Sequence, residues 1–384
     1  MADIDMSRPP LTTILLDGVP TKQGEWLMGL DMSFFNANDK LKGIKGIPDG
    51  YHLFHYSSPN DTEEALTSAV RNGFWFDCKE GDVIVISWDP QLERFARIDD
   101  VDTEQLNCTK ALSTLGESYS FMINYIDDSN VWQDKLISYV DEDIIEMIPK
   151  DMNTIVASRQ ENDILRDALT KGINKKEQET PTLSKSLSDL SLQPQINYTP
   201  INFKINKEGD SNVQDITANY LDKTWYFNSI YSDSELFLGE FQISFINYIV
   251  FGNYCSMVQW LQMLRLLSMC ESLINTSKSL CFNFLEVLTS QLEKLPREYL
   301  VDDTQMQCSL DLKHYTESME NYLAIFGTWD WNSGCCGKLK MQGLIIERWK
   351  KIIQLHKDNF GLDLMALQNE NELDEDDGPV IVTT

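Results

Sequence analysis

The chain has 384 residues, enough for about two domains, and its apolar fraction of 42% and charged fraction of 24% are typical of a globular protein. It contains 32 Lys and Arg against 60 Asp and Glu, which gives a formal net charge of -28. Nucleic-acid affinity comes largely from Lys and Arg that displace counterions, so this charge argues against direct binding to RNA or to an anionic membrane. It favours a protein partner with a basic surface.

The sequence predicts a soluble, intracellular protein. Residues 1–10 are polar and lack the apolar core of a signal peptide. The most apolar stretch, residues 237–267, is interrupted by polar residues such as Glu240 and Arg265 and is a poor membrane span. The eight cysteines include no CxxC pair, which is typical of reduced thiols.

Residues 11–145 are expected to be mostly β. Apolar runs at 11–16 and 52–56 are separated by turn sequences rich in Gly, Pro and Asp. Residues 73–88 predict a β-hairpin, with a first strand alternating through Phe74 and Phe76, a turn at 79–82, and a second strand buried on both faces. Residues 43–50 resemble a phosphate loop only superficially, and they are interpreted as a turn.

Helical spacing follows. A short helix is predicted at 141–148 and another within 151–171. Residues 172–195 lose periodicity and predict a flexible linker, although the spacing of Leu183, Leu187 and Leu190 leaves a docking helix open. From Tyr220 onward, long segments have the hydrophobic periodicity of helices. Residues 237–253 are apolar nearly all round, which predicts the central helix of a helical domain.

The last 27 residues differ from the rest. Residues 358–384 contain eight acidic residues and no basic one, and such a block is expected to be disordered in the free protein. The block ends in a β-branched run with high strand propensity, which suits addition to the sheet of a partner; a solvated tail with an apolar end is the alternative. The candidate partner-binding residues are Pro379, Val380, Ile381, Val382 and Thr383.

No catalytic, metal or cofactor site is predicted. The chain has four histidines, and no nucleophile motif or credible metal-ligand spacing is present. His52 and His55 are three residues apart on a predicted strand and so point to opposite faces. Cys335 and Cys336 are adjacent, with no other Cys or His nearby, and are interpreted as part of a helix-capping loop. An enzyme of unrecognised type centred on Asp17, His52 and Cys78 remains a rival hypothesis.

Several strings occur together in a fixed order. They are residues 41–50 (LKGIKGIPDG), 52–56 (HLFHY), 73–78 (GFWFDC), 196–203 (INYTPINF), 221–226 (LDKTWY), 239–245 (GEFQISF), 251–254 (FGNY) and 259–260 (QW). As a set they resemble the Aar-two family of splicing factors, over about residues 11–300.

The resemblance implies an α+β fold with a β-rich N-terminal domain (1–171), a flexible linker (172–195), a helical domain similar to a VHS domain (196–357) and an acidic tail (358–384). It also implies a partner, the spliceosomal scaffold Prp-eight of the U5 snRNP, bound through its RNase H-like and endonuclease-like domains. Family members occupy this scaffold during cytoplasmic assembly and keep the Brr-two helicase from docking until nuclear maturation. Their tails bridge partner domains by adding a strand.

The function expected is therefore that of a non-enzymatic assembly factor, cytoplasmic with nuclear shuttling. A VHS-like adaptor in protein trafficking is the alternative. Ser268 and Ser272 stand where an apolar helix is predicted to end, and phosphorylation there is a candidate release signal; ordinary helix-end serines are the simpler interpretation.

Overall fold

The computed structural model describes residues 11–24, 26–58, 70–79, 81–98, 115–126, 130–172, 193–207, 213–300, 311–329 and 340–366. The chain divides into two compact units. The first unit takes in residues up to Asp134, residues 140–196 and residues 250–253; the second takes in residues 135–139, residues 197–249 and the residues from Tyr254 onward. The α+β fold class predicted from the sequence is confirmed: the strands precede a helical region.

The first unit contains two five-stranded sheets among its described residues. One sheet has the order β8-β7-β1-β4-β9 and the other has the order β10-β6-β5-β2-β3. The strands are β1 (Thr12–Asp17), β2 (Trp26–Leu30), β3 (Ser33–Ala37), β4 (Gly43–Ile47), β5 (Gly50–Ser57), β6 (Asn72–Cys78), β7 (Val83–Asp89), β8 (Arg94–Arg97), β9 (Met122–Asn124) and β10 (Met152–Asn153). The described residues of this unit also form the α-helices α1 (Leu115–Ser118), α2 (Glu142–Glu146) and α3 (Arg159–Gly172).

Alternating apolar residues from both sheets build one core. Ile14 on β1 stands opposite Ile84 on the parallel strand β7 and opposite Ile44 on the antiparallel strand β4. In the other sheet Phe54 on β5 stands opposite Phe74 on β6. All five side chains belong to the same buried cluster. The two sheets therefore pack face to face as a sandwich, because each has one apolar face that must leave water.

The predicted hairpin at residues 73–88 is wrong. Both of its strands exist, as β6 and β7, and the side chains of Phe74, Phe76 and Cys78 are buried as the alternation predicted. The two strands nevertheless lie in different sheets, since β6 pairs with β5 and β7 pairs with β1.

Contacts with β1 explain this difference. The Thr12 hydroxyl donates to the carbonyl of Lys79 at 2.7 Å, and the Thr13 N–H donates to the carbonyl of Asp82 at 2.9 Å. The turn is thus bound by β1, and it carries the chain from one sheet to the other. A strand that is apolar on both faces suits the position beside parallel β1, covered on each side.

Three local predictions can be compared with the structure. The segment 43–50, interpreted as a turn, is mostly strand β4, with the turn confined to Pro48 and Asp49. The helix predicted at 141–148 is confirmed as α2, with the Asp141 side chain accepting the Ile144 N–H as an N-cap. The helix predicted within 151–171 is confirmed as α3, which begins at Arg159 after strand β10.

The second unit is helical in its described part. Its helices are α4 (Val213–Leu221), α5 (Thr224–Ile230), α6 (Ser234–Phe251), α7 (Tyr254–Ser268), α8 (Glu271–Thr276), α9 (Lys278–Lys294), α10 (Leu312–Gly327) and α11 (Lys340–Leu355). Every residue of α6 from Phe237 onward is buried, which confirms the prediction of a buried helix that is apolar nearly all round. Among the helices of the described residues, none is long and apolar enough to cross a membrane.

We expect Gly29→Ala to destabilise the first unit. Gly29 on β2 stands opposite His55 on β5, and a Cβ at position 29 would collide with the His55 ring and lie 2.7 Å from the Ser33 carbonyl oxygen. The ring has little freedom to move, because it is buried and its Nε2 lies 3.0 Å from the Asp31 carbonyl oxygen. The free energy of unfolding should fall by about 1–3 kcal/mol, measured by chemical denaturation.

Gly116→Ala is the matched control for this experiment. Gly116 is exposed in α1, and a Cβ there would meet nothing within 4 Å. If both variants unfold at the denaturant concentration of the parent chain, the close contact between Gly29 and His55 is wrong.

Candidate protein-interaction surfaces

The residues of the enzyme hypothesis are not arranged for catalysis. His52 is fully buried, with its Nδ1 2.7 Å from Asp31 Oδ2 and its Nε2 3.0 Å from the Pro48 carbonyl oxygen. Cys78 is buried, and burial raises the pKa of its thiol to about 12, so it is a poor nucleophile. Asp17 is exposed at the end of β1. All three residues lie in the described part of the chain, and the two hydrogen bonds given above for the His52 ring go to Asp31 and Pro48.

Asp31 connects the polar groups inside the first unit. It occupies the tight turn between β2 and β3, with a left-handed backbone at φ 58°. Besides the His52 ring, its carboxylate accepts the Leu53 N–H at 2.9 Å and the Tyr125 hydroxyl at 2.6 Å. Sequence reasoning missed this residue, because a lone aspartate between two apolar runs is typical of any turn.

The other histidines are also explained by packing. His55 and His356 are buried, and burial lowers the pKa of His55 to about 3 and that of His356 to about 4. His356 donates from Nδ1 to the Ile352 carbonyl at 2.7 Å, and its Nε2 lies 2.6 Å from the Tyr315 hydroxyl. His314 is half-buried, and its Nδ1 lies 2.5 Å from Asp311 Oδ2. Within the described ranges, no group of three or more His, Cys, Asp or Glu could hold a metal ion. Cys335 and Cys336 lie outside these ranges.

Glu240 is the corresponding centre of the second unit. Its side chain is fully buried in α6, and it accepts the Thr199 N–H at 2.7 Å and the Gln259 amide at 2.9 Å on Oε1. The Tyr231 hydroxyl donates to Oε2 at 3.3 Å. Burial raises the pKa of this carboxyl above its ordinary value, against the opposing effect of these hydrogen bonds. Glu240 thereby joins three of the strings quoted above, those at 196–203, 239–245 and 259–260.

A fourth string, residues 251–254, has a similar explanation inside the first unit. Asn253 is buried, and its amide donates to the carbonyl oxygens of Asn153, Thr154 and Val156 at 2.8–3.2 Å. The polar residues of these strings therefore satisfy buried backbone groups, which would be costly to leave unpaired.

Exposed apolar side chains mark surfaces suited to protein partners. In the first unit the most exposed of those around β9 are Phe121 at 55% and Ile126 at 69%. On α4 of the second unit, Tyr220 and Leu221 are exposed at 57% and 68%. Single exposed apolar residues are common, but groups of them on one element are typical of interaction sites.

The predicted site residues differ in their burial, and some of them lie outside the described residues. Ser268 is the last residue of α7 and is buried; its hydroxyl donates to the Arg265 carbonyl at 2.8 Å and accepts the Asn321 amide at 3.2 Å. Ser272 is exposed in the first turn of α8, and its N–H donates to Asp222 Oδ2 at 3.1 Å. The tail residues Pro379, Val380, Ile381, Val382 and Thr383 lie outside the described residues, as do residues 173–192 of the predicted linker.

Fold and surfaces together define a two-unit α+β protein whose buried polar side chains serve packing and whose exposed apolar groups suit protein contacts. Two models of protein-family domains match this chain. The model of the AAR2 N-terminal domain matches residues 10–149, and that of the AAR2 C-terminal repeat region matches residues 198–365. The chain belongs to the AAR2 family, as the resemblance to the Aar-two family predicted.

Curated relatives agree with this assignment. The chain is 30% identical to the A1 cistron-splicing factor AAR2 of Saccharomyces cerevisiae over 292 residues, covering 72% of this chain and 76% of that protein. It is 23% identical to a protein AAR2 homolog of Caenorhabditis elegans, covering 79% and 91% of the two chains. It is 22% identical to the human homolog, covering 71% and 74%. The first of these proteins is named as a splicing factor and none of the three as an enzyme.

We expect Glu240→Gln to change how stability depends on pH. Because the pKa of Glu240 is raised in the folded state, its contribution to stability is greatest below the unfolded-state pKa and is lost as the pH rises through the folded-state pKa. The parent chain should therefore gain stability relative to Glu240→Gln as the pH falls from 7 to 4. Chemical denaturation at several pH values measures this difference, in which acid effects on other groups cancel.

Glu235→Gln is the matched control, since Glu235 is exposed on the same helix. A constant difference in stability between parent and Glu240→Gln across this pH range would contradict the raised pKa.

Proposed function

We propose that the chain is a pre-mRNA splicing factor that assists assembly of the U5 snRNP. In this proposal it binds the RNase H-like and endonuclease-like domains of the Prp-eight scaffold in the cytoplasm and prevents premature docking of the Brr-two helicase. The scaffold is released after nuclear entry. Membership in the AAR2 family carries the proposal, and the yeast relative, which is named as a splicing factor, supports it.

The physical character of the chain supports binding to protein and not to RNA. Its net charge of -28 repels phosphate backbones and favours a basic protein surface. Exposed apolar side chains on both units supply the contact area that a stable protein complex requires. A protein that covers its partner in this way blocks a competitor by occupancy, with no chemical step.

The tail is proposed to add a strand to a sheet of the scaffold. Residues 379–383 include four consecutive β-branched side chains, and strand addition takes its affinity from backbone hydrogen bonds and its specificity from alternate side chains. The acidic residues that precede this run would be attracted to a basic partner.

Size-exclusion co-elution tests this function. The full chain should co-elute with the RNase H-like and endonuclease-like domains of Prp-eight, and a chain ending at Gly378 should bind more weakly or to one domain only. Ile381→Pro, which removes a backbone donor, should resemble the truncation, whereas Thr384→Pro at the terminus should not. No complex with the full chain would overturn the proposed function, and an unaffected complex after truncation would overturn the role of the tail.

Phosphorylation of Ser272 is the proposed release signal. The Asp222 carboxylate caps the first turn of α8 by accepting the Ser272 N–H, and the Thr224 hydroxyl oxygen accepts the Leu273 N–H at 3.0 Å. Burial acts to raise the pKa of Asp222, but hydrogen bonds from Ser272 and Thr224 outweigh it and leave the pKa below its ordinary value. A phosphate on Ser272 would place two like charges at this cap. A phosphate on buried Ser268 would also require the local packing to open.

We expect Ser272→Asp to weaken scaffold binding about fivefold, the equivalent of about 1 kcal/mol for like charges near 4 Å in water. Isothermal titration calorimetry with the RNase H-like domain measures this. Addition of Asp222→Asn should restore affinity by removing the opposing carboxylate. Ser279→Asp, at an exposed serine in the first turn of α9, is the control. Equal affinities of parent and Ser272→Asp would remove Ser272 as the switch.

A further inference from the structure

Strand β9 leaves backbone hydrogen-bonding groups open at one edge of its sheet. It pairs in parallel with β4, and the flanking bonds run from the Lys42 N–H to the Phe121 carbonyl at 3.1 Å and from the Tyr125 N–H to the Lys45 carbonyl at 2.8 Å. Alternate residues of an edge strand bond its neighbour, so the N–H and C=O of Asn124 point away from β4. In the part of the chain that the structure describes, no strand pairs with this outer side.

The open edge is bordered by exposed apolar side chains. Tyr119, Phe121 and Ile126 are between 50% and 69% exposed, and Ile123 within β9 is 37% exposed. Globular proteins usually protect an edge strand with charges, proline or a covering segment. An unpaired edge with apolar neighbours is instead the arrangement used to receive a strand from a partner.

A cavity of about 460 Å³ lies beside the start of this edge. Lys42, which bonds Phe121, and Ser118, which precedes the segment leading into β9, both line it. Leu15, Leu16 and Leu41 also line it, as do Asp17 and Asp39, among other residues. The Lys42 ammonium donates to the Asp39 backbone carbonyl at 3.1 Å. Neither carboxylate forms an ion pair with another described residue.

We propose that the β9 edge accepts an extended segment of a partner protein that carries an Arg or Lys over this cavity and apolar side chains at alternate positions. The aliphatic stem of such a residue would pack on the leucines, while its charged head reached Asp17 and Asp39. The backbone of the segment would bond Asn124, and its apolar side chains would cover Phe121 and Ile123. Here the chain accepts a strand, whereas its tail is proposed to donate one, so the two sites are separate and neither depends on the other.

Fluorescence anisotropy with labelled peptides tests this site on the full chain. The probe is the heptapeptide Arg-Thr-Val-Thr-Val-Thr-Gly, together with its reversed sequence, because strands can add in either direction. The tighter of the two is then compared with a peptide in which Glu replaces Arg, and with peptides N-methylated at alternate backbone positions. Replacement of Arg by Glu should weaken binding at least about tenfold. N-methylation should weaken binding by a similar factor at one of the two sets of alternate positions, because only alternate backbone N–H groups of an added strand face β9.

Variants of the protein locate the contact. The double substitution Asp17→Asn and Asp39→Asn should weaken the Arg peptide about tenfold and leave the Glu peptide no weaker, because it removes both cavity carboxylates. Asp143→Asn, at an exposed aspartate on α2, is the control for a loss of net charge. The proposal is overturned if neither peptide binds at millimolar concentration, if the double variant binds the Arg peptide as the parent does, or if N-methylation has no effect.

Discussion

The buried carboxylate of Asp31 is the interaction on which the first unit depends most. A charge removed from water must be paired and hydrogen-bonded, and here a histidine ring, a backbone N–H and a tyrosine hydroxyl all face it. These groups come from β5 and from the residue after β9. The carboxylate therefore fixes the β2–β3 turn and also anchors, through Tyr125, the end of the edge strand proposed to receive a partner.

Glu240 has the same role in the second unit, where it holds the extended residues around Thr199 against α6 and α7. Both units thus place an acidic residue where apolar packing alone would leave several arrangements of similar energy. This explains why the strings that resemble the AAR2 family contain buried Glu, Gln and Asn. Those residues identify the fold. They are unavailable to a partner, so the surfaces that bind must be sought among exposed residues.

The sequence predicted those features that depend on local chemistry. The nearly all-apolar helix α6 and the short helix α2 were predictable, because hydrophobic periodicity is recognised within a few residues. Strand pairing was not predictable. Alternation placed Phe74 and Phe76 on the correct face, but β7 pairs with β1, which lies some seventy residues earlier in the sequence. The polar centre at Asp31 was missed for the same reason, since its donors at His52 and Tyr125 are distant in sequence.

The backbone hydrogen bonds between paired strands depend little on sequence. A chain that both donates and accepts strands therefore needs side chains to select its partners. The acidic residues that precede residues 379–383 in the sequence and the carboxylates of Asp17 and Asp39 have the same sign of charge. Their repulsion disfavours pairing of the tail of one copy with the β9 edge of another, a reaction that would otherwise propagate from copy to copy. The same charges attract basic segments. For both proposed strand contacts, a strongly negative net charge therefore disfavours pairing between copies of this chain and favours basic segments of other proteins.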